Sequence, residues 1–302
     1  MKIFLKSLAA LLFLALVVWA IRSDDRPDGK GSATAAASTA PASSAVGTPL
    51  PGGDAAWRTA PLWDDGKAEY CAYRARWPRY GHRFDGRVLL VLVKEPWAPD
   101  LGVKADTPRP DGFDVLKLNV VRDVPTGIYT YHQMASVFTR RDSGALVKIA
   151  ATSSEACGIS TAHMVAGRLQ TRSYFDGQGD RALPYPAGAL PEDGLPAALR
   201  DYVAGPAPAT LAVFPSLLAS RFPELAPVVY QVEKRAAGEG VEIRLTRGAA
   251  VLAYVFEPAP PHRLLRFERD DGTLYEQVKC ERIPYWEMHN PGDEAWLPAA
   301  VR

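Results

Sequence analysis

The densest grouping of chemically useful side chains in this 302-residue chain is Thr126-Gly127-Ile128-Tyr129-Thr130-Tyr131-His132. In an extended strand, alternation sends Tyr129 and Tyr131 to one face and Thr130 and His132 to the other. The chemistry open to such a group is recognition. Aromatic faces grip an apolar or sugar ligand while a few polar groups fix its orientation. The plain alternative is an ordinary sheet face, because aromatic residues favour strands in any case. Tyr129, Tyr131 and His132 are therefore the ligand-binding candidates.

Three cysteines, Cys71, Cys157 and Cys280, allow one disulfide with three pairings, and the sequence does not choose among them. The leftover thiol is expected to be buried. Cys157 has Glu155 two residues before it and His163 six residues after it. A nucleophilic cysteine needs a base within hydrogen-bond reach, which neighbourhood in sequence does not supply, so the structural reading is preferred.

Other constellations are weaker. Asp176-Gly177-Gln178-Gly179-Asp180 has the carboxylates and carbonyls that suit calcium but lacks the further ligands of a known loop, so a turn is expected. The five histidines, His82, His132, His163, His262 and His289, show no zinc-binding spacing. Ser216 sits in Phe-Pro-Ser-Leu-Leu rather than in a Gly-x-Ser-x-Gly elbow. No phosphate loop or dinucleotide fingerprint occurs. Glu69, Glu95, Asp123 and Glu155 are available for acid–base work, with nothing in the sequence to pair them. No catalytic residue, metal or cofactor is assigned.

The elements that must position these residues are mostly strands. Val88–Val93 is apolar on both faces, and Phe113–Val121 alternates with Val115, Leu116, Leu118 and Val120 as its buried set. Ile128–Phe138, Leu146–Ala150, Val228–Val232, Val241–Thr246 and Val251–Glu257 read as further strands. Leu264–Arg269 and Thr273–Lys279 flank Asp270-Asp271-Gly272, a hairpin turn. Helical signal is confined to Leu195–Val203, with Pro196 in its first turn, and to Pro215–Phe222. With 26 prolines and 24 glycines to make turns, the expected fold is mainly β: an antiparallel, curved-sheet or barrel-like domain with a few short helices. The aromatic tail from Pro284 to Pro298 is expected to be pinned to the body by its rings.

The N-terminus sets the address. Lys2 and Lys6 precede the uncharged run Ser7–Ile21, which Arg22 closes. The run is shorter than the roughly 20 residues of a membrane span, so residues 1–22 are either a cleavable signal peptide, cut after Ala20, or an N-terminal membrane anchor. Both send the body out of the cytoplasm. Residues 23–53, rich in Ala, Ser, Thr, Pro and Gly, read as a disordered linker, and 54–302 as a β-rich globular domain. Net charge is +1 with no basic block, which gives no electrostatic case for nucleic acid.

A series of short motifs runs through the domain: Ala68-Glu69-Tyr70, Arg79-Tyr80-Gly81, Gly86, Leu92-Val93-Lys94-Glu95, Val103-Lys104, Leu116-Lys117-Leu118-Asn119 and Thr126–Tyr131. Cys157-Gly158, Ser173-Tyr174-Phe175-Asp176-Gly177 and Pro215-Ser216 continue it. In this order they resemble an uncharacterised family of bacterial envelope proteins, over roughly residues 63–270. The resemblance implies an exported protein, often a lipoprotein, with no established activity. This chain departs from it by lacking a lipidation cysteine and by having Ala156 where the family has tryptophan. The expected function is a non-enzymatic binding or carrier domain of the periplasm or cell envelope for an apolar or lipid-like ligand. The membrane is a further partner, through the N-terminal segment. The alternative is a hydrolase acting on an envelope polymer.

Overall fold

The computed structural model describes residues 52–301, so the leader and nearly all of the linker lie outside the described residues. Sixteen strands form a single sheet. The first half of the chain supplies β1 (Ala68–Arg79), β2 (His82–Ala98), β3 (Val103–Lys104), β4 (Phe113–Thr126), β5 (Tyr129–Arg140), β6 (Leu146–Glu155), β7 (Gly158–Val165), β8 (Arg168–Arg172) and β9 (Arg181–Pro184). The second half supplies β10 (Leu190–Pro191), β11 (Thr210–Phe214), β12 (Val228–Ala237), β13 (Gly240–Arg247), β14 (Ala250–Phe256), β15 (Leu264–Arg269) and β16 (Leu274–Ile283).

Two meanders make this sheet. One runs from β1 to β9 and the other from β10 to β16, and they are joined side by side where β16 pairs antiparallel with β1. All ladders are antiparallel except the short β10–β11 pair. The two-residue hairpins follow from turn chemistry. Tyr80 (φ 53°) and Gly81 (φ 74°) both take the left-handed conformation that a type I′ turn requires, which sets Arg79 opposite His82. The mainly β, antiparallel, curved fold expected from the sequence is what forms.

The curvature is visible in the core. Leu169 of β8 and Leu211 of β11, near opposite ends of the strand order, belong to one apolar cluster with Leu90, Leu118, Ile243 and Phe256. The concave side is not an open basin, however. The connection from Tyr185 to Pro227 folds into it, inserting Leu195, Leu199, Tyr202, Leu217 and Phe222 among the strand residues. Its short helices, α1 (Leu195–Ala198) and α2 (Asp201–Ala204), are single turns separated at Leu199 and Arg200. They replace the continuous helix expected over Leu195–Val203. Arg200 is fully buried and donates to both oxygens of Glu69 on β1, at 2.6 and 3.3 Å.

The convex side explains the doubly apolar run in β2. Leu90 and Leu92 face the core, while Leu89, Val91 and Val93 face outward and are covered by Tyr285, Trp296, Leu297 and Val301 of the C-terminal segment. Tyr70 holds that segment edge-on to Trp296, with ring centres 5.1 Å apart. Among the described residues no helix is long and apolar enough to cross a membrane.

Cys71 and Cys280 stand directly opposite in the β1–β16 ladder and form the disulfide, 209 residues apart in sequence. Cross-linking a loop this long removes much entropy from the unfolded chain. Replacing both cysteines by serine is expected to cost about 2–5 kcal/mol of unfolding free energy. Guanidinium titration should show this loss, and adding reductant to the unsubstituted protein should reproduce it. Identical midpoints for the two proteins would refute it.

Candidate functional site

At one end of the interior the inward-facing row changes from apolar to polar. Leu116, Leu118 and Val120 on β4 are buried aliphatic residues, and the next residue of the same parity is Arg122, also buried. Its cross-strand neighbour is Gln133 on β5, whose neighbour is Ser153 on β6, whose neighbour in turn is Ser160 on β7. All four are buried. Arg122 Nε donates to Gln133 Oε1 at 2.7 Å, and Gln133 Nε2 donates to Ser153 Oγ at 2.8 Å.

This polar ladder holds the segment Pro215–Phe222 against the sheet. Arg122 Nη2 donates to the Leu218 carbonyl at 2.6 Å, the Ser153 and Ser220 hydroxyls lie 2.9 Å apart, and Ser160 Oγ donates to the Ser220 carbonyl at 2.6 Å. Asp193 accepts from Ser216 Oγ at 2.6 Å and from the Leu217 amide at 2.8 Å. Gln178 clasps Phe222 through both its amide and its carbonyl. The helix expected over Pro215–Phe222 does not form, because side chains reaching in from elsewhere take up the backbone groups a helix would pair internally.

Beneath this strap lies a cavity of about 300 Å³. Its apolar walls are Trp77, Leu90, Val120, Leu218, Tyr254 and Phe267. Its polar groups include Arg122, Asp193, Ser216, Asp271 and the ion pair of Glu192 with Arg269. Arg122 lies over the Trp77 ring at 4.6 Å. Burial pushes the Asp193 carboxyl up to about 6, against the pull of Ser216. A small cavity with aromatic walls and a few convergent polar groups is the usual form of a small-molecule site.

Tyr129, Tyr131 and His132 do not line this cavity. Tyr131 is buried and meets Trp77 edge-on at 5.2 Å, so it stands behind the cavity wall. Its hydroxyl lies 2.5 Å from that of exposed Tyr80, which lies 3.0 Å from that of Tyr129. Arg79 donates to Tyr131 at 3.2 Å. His132 points to the opposite face, where Nδ1 lies 2.8 Å from Asp123 Oδ1 and Arg87 holds the other oxygen. The two tyrosines thus come together and the histidine does not join them.

Several motifs that carry the resemblance converge at this same end. Besides the Tyr80–Tyr129–Tyr131 contacts, Tyr174 donates to Glu155 at 2.7 Å and lies on Gly158, where an added Cβ would come within 2.8 Å of the tyrosine ring. Close approach of this ring explains the glycine. Burial and the Glu155 hydrogen bond raise the Tyr174 pKa, and Cys157 and Tyr80 lie near enough to raise it further. Cys157 is the free cysteine. It is exposed rather than buried as expected, because it occupies the turn between β6 and β7.

The remaining candidates are dispersed. Glu69 is held by Arg200, Glu95 by Lys117, Asp123 by Arg87 and Glu155 by Tyr174. In the 176–180 segment Asp176 accepts its neighbouring amide from Gly177, and Asp180 pairs with Arg172, so the two carboxylates do not converge. Ligand-type atoms of Glu69, Cys71 and Cys280 lie within 4.8 Å of one another, but the disulfide consumes both thiols and Arg200 takes the carboxylate. The sequence reading missed Arg122 and Trp77. The available signal was parity, since a charge at position 122 continues the buried series 116, 118 and 120.

No family model matches the chain, and no curated protein matches it. Among solved structures it is similar to a β-barrel-like protein of a domain of unknown function from Brucella abortus. The two are 11% identical, the match covers 72% of this chain and 98% of that one, and the TM-score is 0.39.

The fold holds the Asp193 proton more tightly than the unfolded chain, whose aspartate titrates near 3.8. The side chain therefore contributes stability at low pH that is lost as pH rises from about 4 to 6. Relative to the unsubstituted protein, Asp193→Asn should gain up to about 3 kcal/mol over that interval. Urea titrations across the range measure the gap, and a gap that stays constant with pH would contradict this assignment.

Proposed function

We propose that the chain is an exported envelope protein whose β domain binds a small apolar or amphiphilic molecule in the cavity beneath the Pro215–Phe222 strap. The observation that carries this reading is the cavity itself: about 300 Å³ of space, partly open to solvent, with aromatic and aliphatic walls that continue the core and a few convergent polar groups. The chain's own connection fills most of the concave face, so the ligand is small, at the lower end of the usual site range, rather than a full-length lipid.

Support for export comes from the Lys2, Lys6 and Ser7–Ile21 pattern, from the resemblance to envelope proteins, and from the Cys71–Cys280 disulfide, a bond that persists in oxidising compartments. A hydrolase would need two carboxylates free to face a substrate. Glu192 is engaged by Arg269 and both oxygens of Asp193 are engaged by Ser216 and Leu217, so binding has the stronger support.

Ala219 borders the cavity and is half-buried. Ala219→Phe should fill the space. Isothermal titration of the full chain with octanol and with octanoate should show saturable binding of at least one, and the variant, folded by circular dichroism, should bind neither. If neither probe binds the unsubstituted protein, or if the variant binds as well as it does, the cavity is not the site.

A further inference from the structure

Three arginines are buried among the described residues: Arg58, Arg122 and Arg200. Two of them follow the usual rule for a charge removed from water. Arg58 pairs with Asp201 at 2.5 Å, and Arg200 pairs with Glu69 at 2.6 Å. Arg122 has no carboxylate within ion-pair distance among the described residues, and it is the one of the three that borders the 300 Å³ cavity. Removing a charge from water costs several kcal/mol unless an opposite charge and hydrogen bonds compensate.

The guanidinium's hydrogen bonding points the same way. Of its five N–H donors, one on Nε goes to Gln133 at 2.7 Å and one on Nη2 to the Leu218 carbonyl at 2.6 Å. Nη1 has only a long contact, 3.4 Å, to the Tyr275 hydroxyl. Trp77 lies under the guanidinium at 4.6 Å, and the Gln133 and Leu218 bonds fix its orientation. A planar cation held in one pose with donors to spare is matched by a carboxylate, which accepts two parallel N–H bonds.

The acids of the cavity do not take this role. Glu192 is paired with Arg269. Asp193 spends one oxygen on Ser216 and the other on Leu217. Asp271 accepts the Thr273 amide at 2.7 Å in the hairpin turn. Asp193 acts on Arg122 through its charge without reaching ion-pair distance, and the further acids of the lining disfavour a second negative charge, so a monoanion fits better than a dianion.

The geometry points to a small amphiphilic carboxylic acid as the ligand, its carboxylate on Arg122 and its apolar part against Leu90, Val120, Leu218 and Phe267. This deepens the binding reading above and rests on it. The test is a titration of the full chain with octanoate, octanol and octylamine, which share a chain and differ in head group. The expected result is octanoate bound at least about tenfold more tightly than octanol, with octylamine weakest. Arg122→Gln should weaken octanoate binding at least about tenfold more than it weakens octanol binding, so that the preference is lost. Should that variant fail to fold, the head-group ranking on the unsubstituted protein decides alone. Octanol and octanoate binding equally, or octylamine binding best, would overturn the acid-head assignment and leave the binding site standing. No binding of any of the three would remove the binding reading as well.

Discussion

The pairing of β1 with β16 is the interaction on which everything else depends. Most strands of each half pair with a neighbour in sequence, but the two halves become one sheet only where the first strand meets the last. That contact is the least local in the ladder, and so the costliest in chain entropy to form. Cys71 and Cys280 secure it covalently. On the same inward face of β1, Glu69 secures the buried connection through Arg200, and Tyr73 donates to the Leu264 carbonyl on β15 at 2.7 Å. One strand thus fixes the seam, the interior filling and the neighbouring meander.

The seam creates a volume problem that the connection between the meanders solves. A sheet curved enough to bring β8 and β11 into one core encloses more space than its own side chains fill, and unfilled apolar space destabilises a core. Tyr185–Pro227 supplies the missing side chains. Because this segment is irregular, its backbone groups need partners that regular structure would otherwise provide. The ladder Arg122–Gln133–Ser153–Ser160 provides two of them, to the Leu218 and Ser220 carbonyls. The interior therefore turns polar at the end where the strap lies, and the filling is incomplete there. The cavity follows from the way the connection is held as much as from the sheet that surrounds it.

What the sequence disclosed divides along a physical line. Strands whose one face meets the core are legible: Leu116, Leu118 and Val120 are buried as alternation requires, while Val115, of opposite parity, is buried on the other face with Trp97 and Val147, and Asp270-Asp271-Gly272 turns as its glycine predicts. The run Val88–Val93 was read as doubly apolar, but the reason for it, a C-terminal segment lying on the outside, is a contact between distant parts of the chain. The Pro215–Phe222 segment misled for the same reason, since local propensity could not foresee Asp193, Gln178 and Arg122 taking its backbone groups. β1 was missed because Arg74 and Arg76 interrupt its pattern; both point outward between the inward Tyr73, Ala75 and Trp77. The disulfide partner of Cys71 could not be read at all, because it depends on the seam.

The same end of the sheet carries both the aromatic hairpin tips and the cavity, and Trp77 connects them. One edge of its indole meets Tyr131, whose hydroxyl is tied to Tyr80 at the rim, and its face carries Arg122 inside the cavity. Arg79 lies about as close to Trp77 as to Tyr80 and Tyr131, at 5.5, 5.0 and 5.2 Å, so one cation braces rings on both sides of the wall. The motifs Arg79-Tyr80-Gly81 and Thr126–Tyr131 therefore stand outside the cavity lining and are not mere sheet surface either. They brace the indole that lies under the buried guanidinium. A tyrosine cluster that is prominent in the sequence stands one step behind the residues that line the cavity, on the far side of Trp77.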